Sequence, residues 1–207
     1  MKRILFQGDS ITDCCRSREN DSYKGCGYPL RVMGELNYDY PGEYEFINRG
    51  IGGNRVTDLY ARIKADIINL KPDYLSILIG VNDVWHEIGA KNGVSAEKFE
   101  KIYDMLLTEV IEALPNTKIM IIEPYVTKGS ATEAVWDCFS SEVAKRAAVA
   151  KKLAEKYNLV FVPLQSKFDE MITKHPEPYW TAEGVHPTEC GHELIKREWM
   201  KGFEKLK

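Results

Sequence analysis

A three-layer α/β/α sandwich around a five-stranded parallel sheet is the fold class this sequence predicts. Three observations carry it. Short apolar runs alternate along the chain with longer segments of helical period. Two of the runs, Tyr74-Leu75-Ser76-Ile77-Leu78-Ile79 and Lys118-Ile119-Met120-Ile121-Ile122, are nearly continuous in apolar character, which suits central strands covered on both faces. No repeat, low-complexity tract or linker divides the 207 residues, so one domain over residues 1–207 is expected.

Taken in order, Arg3 to Gln7 is the first strand. The basic Lys2-Arg3 before it has the look of a signal peptide, but the apolar stretch ends after Phe6, too soon for an h-region. A helix is expected over about Tyr28 to Leu36, a strand over Tyr44 to Asn48, and a single helix over Thr57 to Leu70. The third strand is Tyr74 to Ile79. After it, Phe99, Ile102, Tyr103, Leu106, Leu107, Val110, Ile111 and Leu114 repeat at i, i+3, i+4, i+7, giving one apolar stripe. Ser95 is the natural N-cap of that helix, and Pro115-Asn116 stops it. Lys118 to Glu123 is the fourth strand, Glu133 to Tyr157 a helix, Leu159 to Pro163 the fifth strand, and Thr188 to Leu206 the last helix. Alternating strands and helices require right-handed crossovers and hence a parallel sheet.

Composition narrows the function. Hydrophobic residues make up 44% and charged residues 29%, with a net charge of −3. Without a basic excess there is no electrostatic pull towards nucleic acid or an anionic membrane, and neither partner is expected. No apolar run is long enough to span a bilayer. Cys14, Cys15, Cys26, Cys138 and Cys190 are odd in number and lack CxxC spacing, so neither a zinc site nor a disulfide framework is expected. A cytoplasmic protein with free thiols is the resulting expectation. No HExxH motif, Walker lysine or GxGxxG spacing occurs, so neither a metal nor a nucleotide cofactor is expected. A homo-oligomer is compatible with the sequence.

In such sheets ligands sit at the carboxyl ends of the strands. Gly8-Asp9-Ser10-Ile11-Thr12 follows the first strand and Arg49-Gly50-Ile51-Gly52-Gly53-Asn54 the second. Gly80-Val81-Asn82-Asp83 follows the third, and Glu183-Gly184-Val185-His186-Pro187 comes after the fifth. Each alone has an ordinary explanation: a capping serine, turn glycines, a turn asparagine, a loop histidine. Together, in this order and on one sheet edge, they resemble the four blocks of the SGNH (GDSL-type) hydrolase family that carry Ser, Gly, Asn and His. Asp13-Cys14 and Val84-Trp85 look most like the branch of small-acyl carbohydrate esterases related to acetylxylan esterases.

The resemblance implies a flavodoxin-like sheet and a serine hydrolase acting on small-molecule esters. Ser10 is then the nucleophile and His186 its base, since a serine hydroxyl attacks only when a neighbouring base removes its proton. The oxyanion donors would be the N–H of Ser10, the N–H of Gly53 and the side-chain amide of Asn82, with Gly52 a competitor for Gly53. The family's acid is an aspartate three residues before the histidine; here it is Glu183, whose extra methylene must fold back to reach the ring. Trp85, Tyr125 and Trp180 are expected at the active edge as pocket aromatics. His86 and His175 are expected in loops, His192 as a packing or capping residue, and Asp9 and Asp83 as loop-fixing acceptors. Rival readings are a thioesterase or lysophospholipase of the same family, and a non-catalytic carbohydrate-binding member of the fold.

Overall fold

The computed structural model describes residues 1–207. Five parallel strands, β1 (Lys2–Gly8), β2 (Tyr44–Asn48), β3 (Tyr74–Leu78), β4 (Lys118–Ile122) and β5 (Val160–Val162), lie in the order β2-β1-β3-β4-β5. Leu5 pairs with Ile47 on one side and Leu75 on the other, and Ile77 pairs with Ile121. Strand direction is uniform because each crossover carries at least one helix.

Side chains alternate between the two faces, which explains the near-continuous apolar strands. Ile4 and Phe6 join a core with Tyr28, Leu36, Trp199 and Phe203, under helices α2 (Tyr28–Asp39) and α9 (Glu189–Glu204). Leu5, Leu75 and Ile77 face the other way, against α3 (Val56–Ala61), α6 (Ala96–Ala113) and the C-terminal half of α7 (Trp136–Lys156). Phe6 meets the Trp199 ring at 5.5 Å, and Trp199 stacks on Phe203 at 5.0 Å. Removing an aromatic of this size from a closed core costs about 3–5 kcal/mol.

The helix starts follow local chemistry. Ser95 caps α6 by accepting from the Lys98 N–H, and Thr188 caps α9 by accepting from Gly191. The single helix expected over 57–70 is instead α3, α4 (Ile63–Asp66) and a 3₁₀ turn at Ile68–Leu70. It breaks at Arg62 (φ −112°, ψ 15°), whose guanidinium donates to the Arg49 and Gly8 carbonyls and to Asn54 and Asp66. Tertiary hydrogen bonds thus override a helical pattern. Three short helices were not foreseen: α1 (Ser10–Asp13), α5 (Val81–Ala90) and α8 (Gln165–Ile172). Each starts within three residues of a strand end and spans ten residues or fewer, too few for a helical period to stand out. No helix is long and apolar enough to cross a membrane.

Strand order reverses between β1 and β3, since β2 lies beyond one and β4 beyond the other. The loops leaving these two strands therefore diverge and open a crevice, the usual ligand position in this architecture. Ser10 follows β1 and Asn82 follows β3.

Candidate active site

Ser10 is the first residue of α1. Asp9 precedes it as N-cap and its Oδ1 accepts from the Ile11 N–H at 3.0 Å, which forces the sharp turn off β1. As the first helical residue, Ser10 has a backbone N–H without an intrahelical acceptor. Its Oγ lies 2.8 Å from His186 Nε2. On the far side of the ring, Nδ1 is 2.6 Å from Glu183 Oε1, and the same oxygen accepts the His186 backbone N–H at 2.9 Å. An ionised carboxylate can only accept, so Nδ1 carries the proton and Nε2 presents a lone pair to the serine hydroxyl. The longer glutamate does fold back to the ring.

The glycine loop packs against this turn. A Cβ on Gly50 would sit 2.3 Å from the Asp13 nitrogen, so only glycine allows the approach. Asn48 staples the two segments from within: Nδ2 donates to the Thr12 and Lys24 carbonyls, and Oδ1 accepts from Gly50. The Gly52 N–H donates to Asp13 Oδ2 at 2.9 Å. Gly53, in the left-handed region at φ +80°, has an N–H with no protein acceptor. Asn82 lies buried in the first turn of α5, and its Nδ2 spends one hydrogen on the Asn54 carbonyl at 3.1 Å. The other is free. Two donors therefore remain unspent beside Ser10, and Gly52 is not one of them.

Buried acids frame the crevice. Asp83 accepts from the Val56 N–H, and burial pushes its carboxyl up to about 8. Burial likewise pushes Asp9 up to about 7, offset partly by its bond to the Ile11 N–H. His192 is a buried acceptor for the Tyr28 N–H, and desolvation holds its ring down at about 4. It packs and caps, as expected. Cys14 is pushed up to about 12, mainly by burial.

The crevice has two lobes. One, about 400 Å³, is lined by Ser10, Gly53, Asn82, Trp85, His86 and His186, together with Gly89 and Ala90. Trp85 faces the His186 ring at 5.8 Å and the Phe139 ring at 6.0 Å, so it does border the crevice. The other, about 500 Å³, runs from Ser10 and His186 past Asp13, Arg16 and Arg18.

Three sequence expectations need correction. Tyr125 is fully buried, stacked on Phe168 at 4.1 Å, with its hydroxyl donating to the Val185 carbonyl. It supports the histidine loop from beneath and lines no pocket. Trp180 is buried with its Nε1 donating to the His175 carbonyl, and it borders a separate hollow with Tyr179 and Cys190. A loop aromatic near a sheet edge satisfies its polar atom wherever a carbonyl is closest, and here both point inward. His86 belongs to α5 and reaches within 3.9 Å of where a Gly53 side chain would begin. Arg16 and Arg62 carry no sequence expectation, and Asp13 enters the sequence reading only as a mark of the family branch, without a role in the site. For Asp13 the signal was available: it stands three residues after Ser10, one helical turn on.

With this geometry in view, comparison with known proteins decides the family. A model of the GDSL-like lipase/acylhydrolase family matches residues 6–194. The chain belongs to that family. It is a carboxylic ester hydrolase with the α/β fold of its neighbours. A protein of Parabacteroides merdae described as a GDSL-like lipase superposes with a TM-score of 0.93 at 38% identity, over 100% of this chain and 96% of that one. The acetylxylan esterase of Geobacillus stearothermophilus is 35% identical over 98% of this chain and 95% of its own length. Its crystal structure gives a TM-score of 0.85 at 32% identity, covering 97% and 93% of the two chains. Serine-to-alanine and aspartate-to-alanine forms of that esterase are known as catalytic mutants.

Proposed function

We propose that this family member is a serine esterase that removes acetyl or similarly short acyl groups from carbohydrate hydroxyls through an acyl-enzyme. The observation that carries the reading is the unbroken line from Ser10 Oγ through both imidazole nitrogens of His186 to Glu183 Oε1.

In the first half-reaction Nε2 takes the Ser10 proton as Oγ bonds to the ester carbon. The imidazolium formed is stabilised by Glu183 through Nδ1. The carbonyl oxygen becomes an oxyanion held by the Ser10 N–H, the Gly53 N–H and the free Asn82 N–H. Pre-aimed donors of this kind contribute about 10²–10³ each in rate. His186 then protonates the departing alkoxide and the carbon–oxygen bond to the sugar breaks. Water repeats the sequence, with His186 as its base, and releases the carboxylic acid and free Ser10.

Two features favour a short acyl group. The lobe holding Gly53 and Asn82 is small, about 400 Å³, and is lined by Trp85 and Ala90, which suits a small apolar group beside the oxyanion donors. The acetylxylan esterase relative acts in the same sense.

A serine-directed fluorophosphonate should label the wild type on Ser10 and leave Ser10→Ala unlabelled. Ser10→Ala should lose at least about 10⁴-fold in kcat while remaining folded. Acetylated xylo-oligosaccharides should be better substrates than octanoyl esters or acyl thioesters. A folded Ser10→Ala protein with near wild-type turnover overturns the mechanism; preference for long acyl chains or thioesters moves the substrate to another class.

A further inference from the structure

The second lobe of the crevice carries a charge that the ester chemistry does not use. Arg16 and Arg18 both line it, beside Ser10 and His186. Asp13 is the only carboxylate among its lining residues, and Arg18 holds it at 2.5 Å. That carboxylate is also occupied by the Gly52 N–H. Arg16 has no acidic partner. It donates Nε to the Gly50 carbonyl and one terminal nitrogen to the Ser17 carbonyl, and its other terminal nitrogen meets no protein acceptor. The remaining ionisable groups of the lobe are Cys14, Cys15, His186 and His192. Burial of Cys14 and of His192 favours their neutral forms. A guanidinium stays protonated throughout this range.

From this arrangement we infer that Arg16 makes the lobe a subsite for an anionic group on the leaving alcohol, a sugar carboxylate such as a uronate next to the acylated hydroxyl. The inference rests on the esterase reading above and names the class of alcohol. The alcohol, and not the acyl group, belongs here for a geometric reason. The unspent donors of Gly53 and Asn82 open into the other lobe, with Trp85 and Ala90. The leaving oxygen must reach His186 Nε2, and the polar remainder of the sugar then extends past Pro187 towards Arg16. Because the guanidinium is already oriented through Gly50 and Ser17, little side-chain freedom is lost when it takes a carboxylate, and the planar fork suits that group.

The test compares one acetylated uronoside in two forms, free carboxylate and carboxamide, which differ by a charge and little else. For the wild type at low salt, kcat/KM should favour the carboxylate by about five- to tenfold, as one partly screened charge-assisted bond provides. About 0.5 M NaCl should shrink that ratio towards one. Arg16→Gln should bring it to one, and Arg16→Lys, which keeps the charge but not the fork, should keep part of it. The ratio cancels any loss from disturbing the Gly50 contact, since both forms use the same nucleophile. A wild-type ratio of one or below, or an unchanged ratio in Arg16→Gln, overturns the inference while leaving the esterase intact. Should Arg16→Gln not fold, the wild-type ratio, its salt dependence and Arg16→Lys still decide. If neither form is hydrolysed in a Ser10-dependent way, it is the esterase reading that fails.

Discussion

The two lips of the crevice are braced by different chemistry. The serine lip, Gly8 to Asp13 with the glycine loop, is held chiefly by charged and carboxyl groups, with Asn48 as a neutral staple between its two segments. Asp9 turns the chain, Asp13 holds Gly52, and Arg62 ties the Gly8 and Arg49 carbonyls to Asp66. The histidine lip, Ala182 to Pro187, is held by neutral groups. The Tyr125 hydroxyl donates to Val185, the Thr127 N–H donates to Gly184, Thr127 Oγ1 meets Thr181 Oγ1 at 2.6 Å, and Ala182 donates to the His186 carbonyl. On that lip Glu183 is the only ionisable group besides the histidine itself. The difference has a physical reading. A base whose proton affinity must rise and fall during turnover is best tuned by a single carboxylate, whereas backbone donors must be held still while negative charge appears in front of them.

Glu183→Ala should break the histidine lip with the largest effect. Removing the sole carboxylate should lower kcat by about 10³–10⁴-fold with little change in KM, because the loss falls on the imidazolium of the transition state. Combining it with His186→Ala should be little worse than His186→Ala alone. Glu183→Asp sharpens the point: in a loop shaped around the longer side chain, the shorter acid should also lose activity. Near-full activity of Glu183→Ala across pH would remove Glu183 from the triad and leave Ser10 and His186 as a dyad.

Asp13→Asn probes the serine lip and should act more gently. The amide can still accept from Gly52 but no longer pairs Arg18, so the glycine loop loosens without losing a reacting group. A fall of about tenfold in kcat is expected, with the pH dependence set by His186 unmoved. A shifted pH profile would mean that Asp13 acts on the base and not on the loop.

The smallest effect concerns stability. Asp83 keeps its proton in the folded state to about pH 8, whereas unfolded it ionises near the ordinary aspartate value of about 3.9. Between these values the folded state binds more protons than the unfolded one, so stability falls as pH rises from about 4 to 8 and levels off beyond. Asp9 adds to the same slope up to about pH 7. Denaturant midpoints should fall across this range, and Asp83→Asn should flatten part of that fall. A midpoint that rises with pH over this window contradicts a protonated Asp83.

How much of this was legible in the sequence differs by element. The central strands β3 and β4 were readable because burial on both faces leaves near-continuous apolar runs, and α6 because its stripe is long and capped at Ser95. The helix over 57–70 misread itself because Arg62 finds four acceptors that no local pattern records. Tyr125 and Trp180 were misplaced for a related reason: a loop position says which edge a residue is near, not which way its ring turns.

By itself the sequence determined the fold class, the family and the four segments that meet at the sheet edge, because these depend on periodicity and on residue types at strand ends. Tertiary structure alone decided the rest. It gave Gly52 to Asp13 and left Gly53 free, folded Glu183 back onto His186, turned Tyr125 under the histidine loop and left Arg16 without a carboxylate to pair with. Hydrogen-bond donors and charges are allotted among residues dozens of positions apart, and only packing in three dimensions settles which acceptor each one meets.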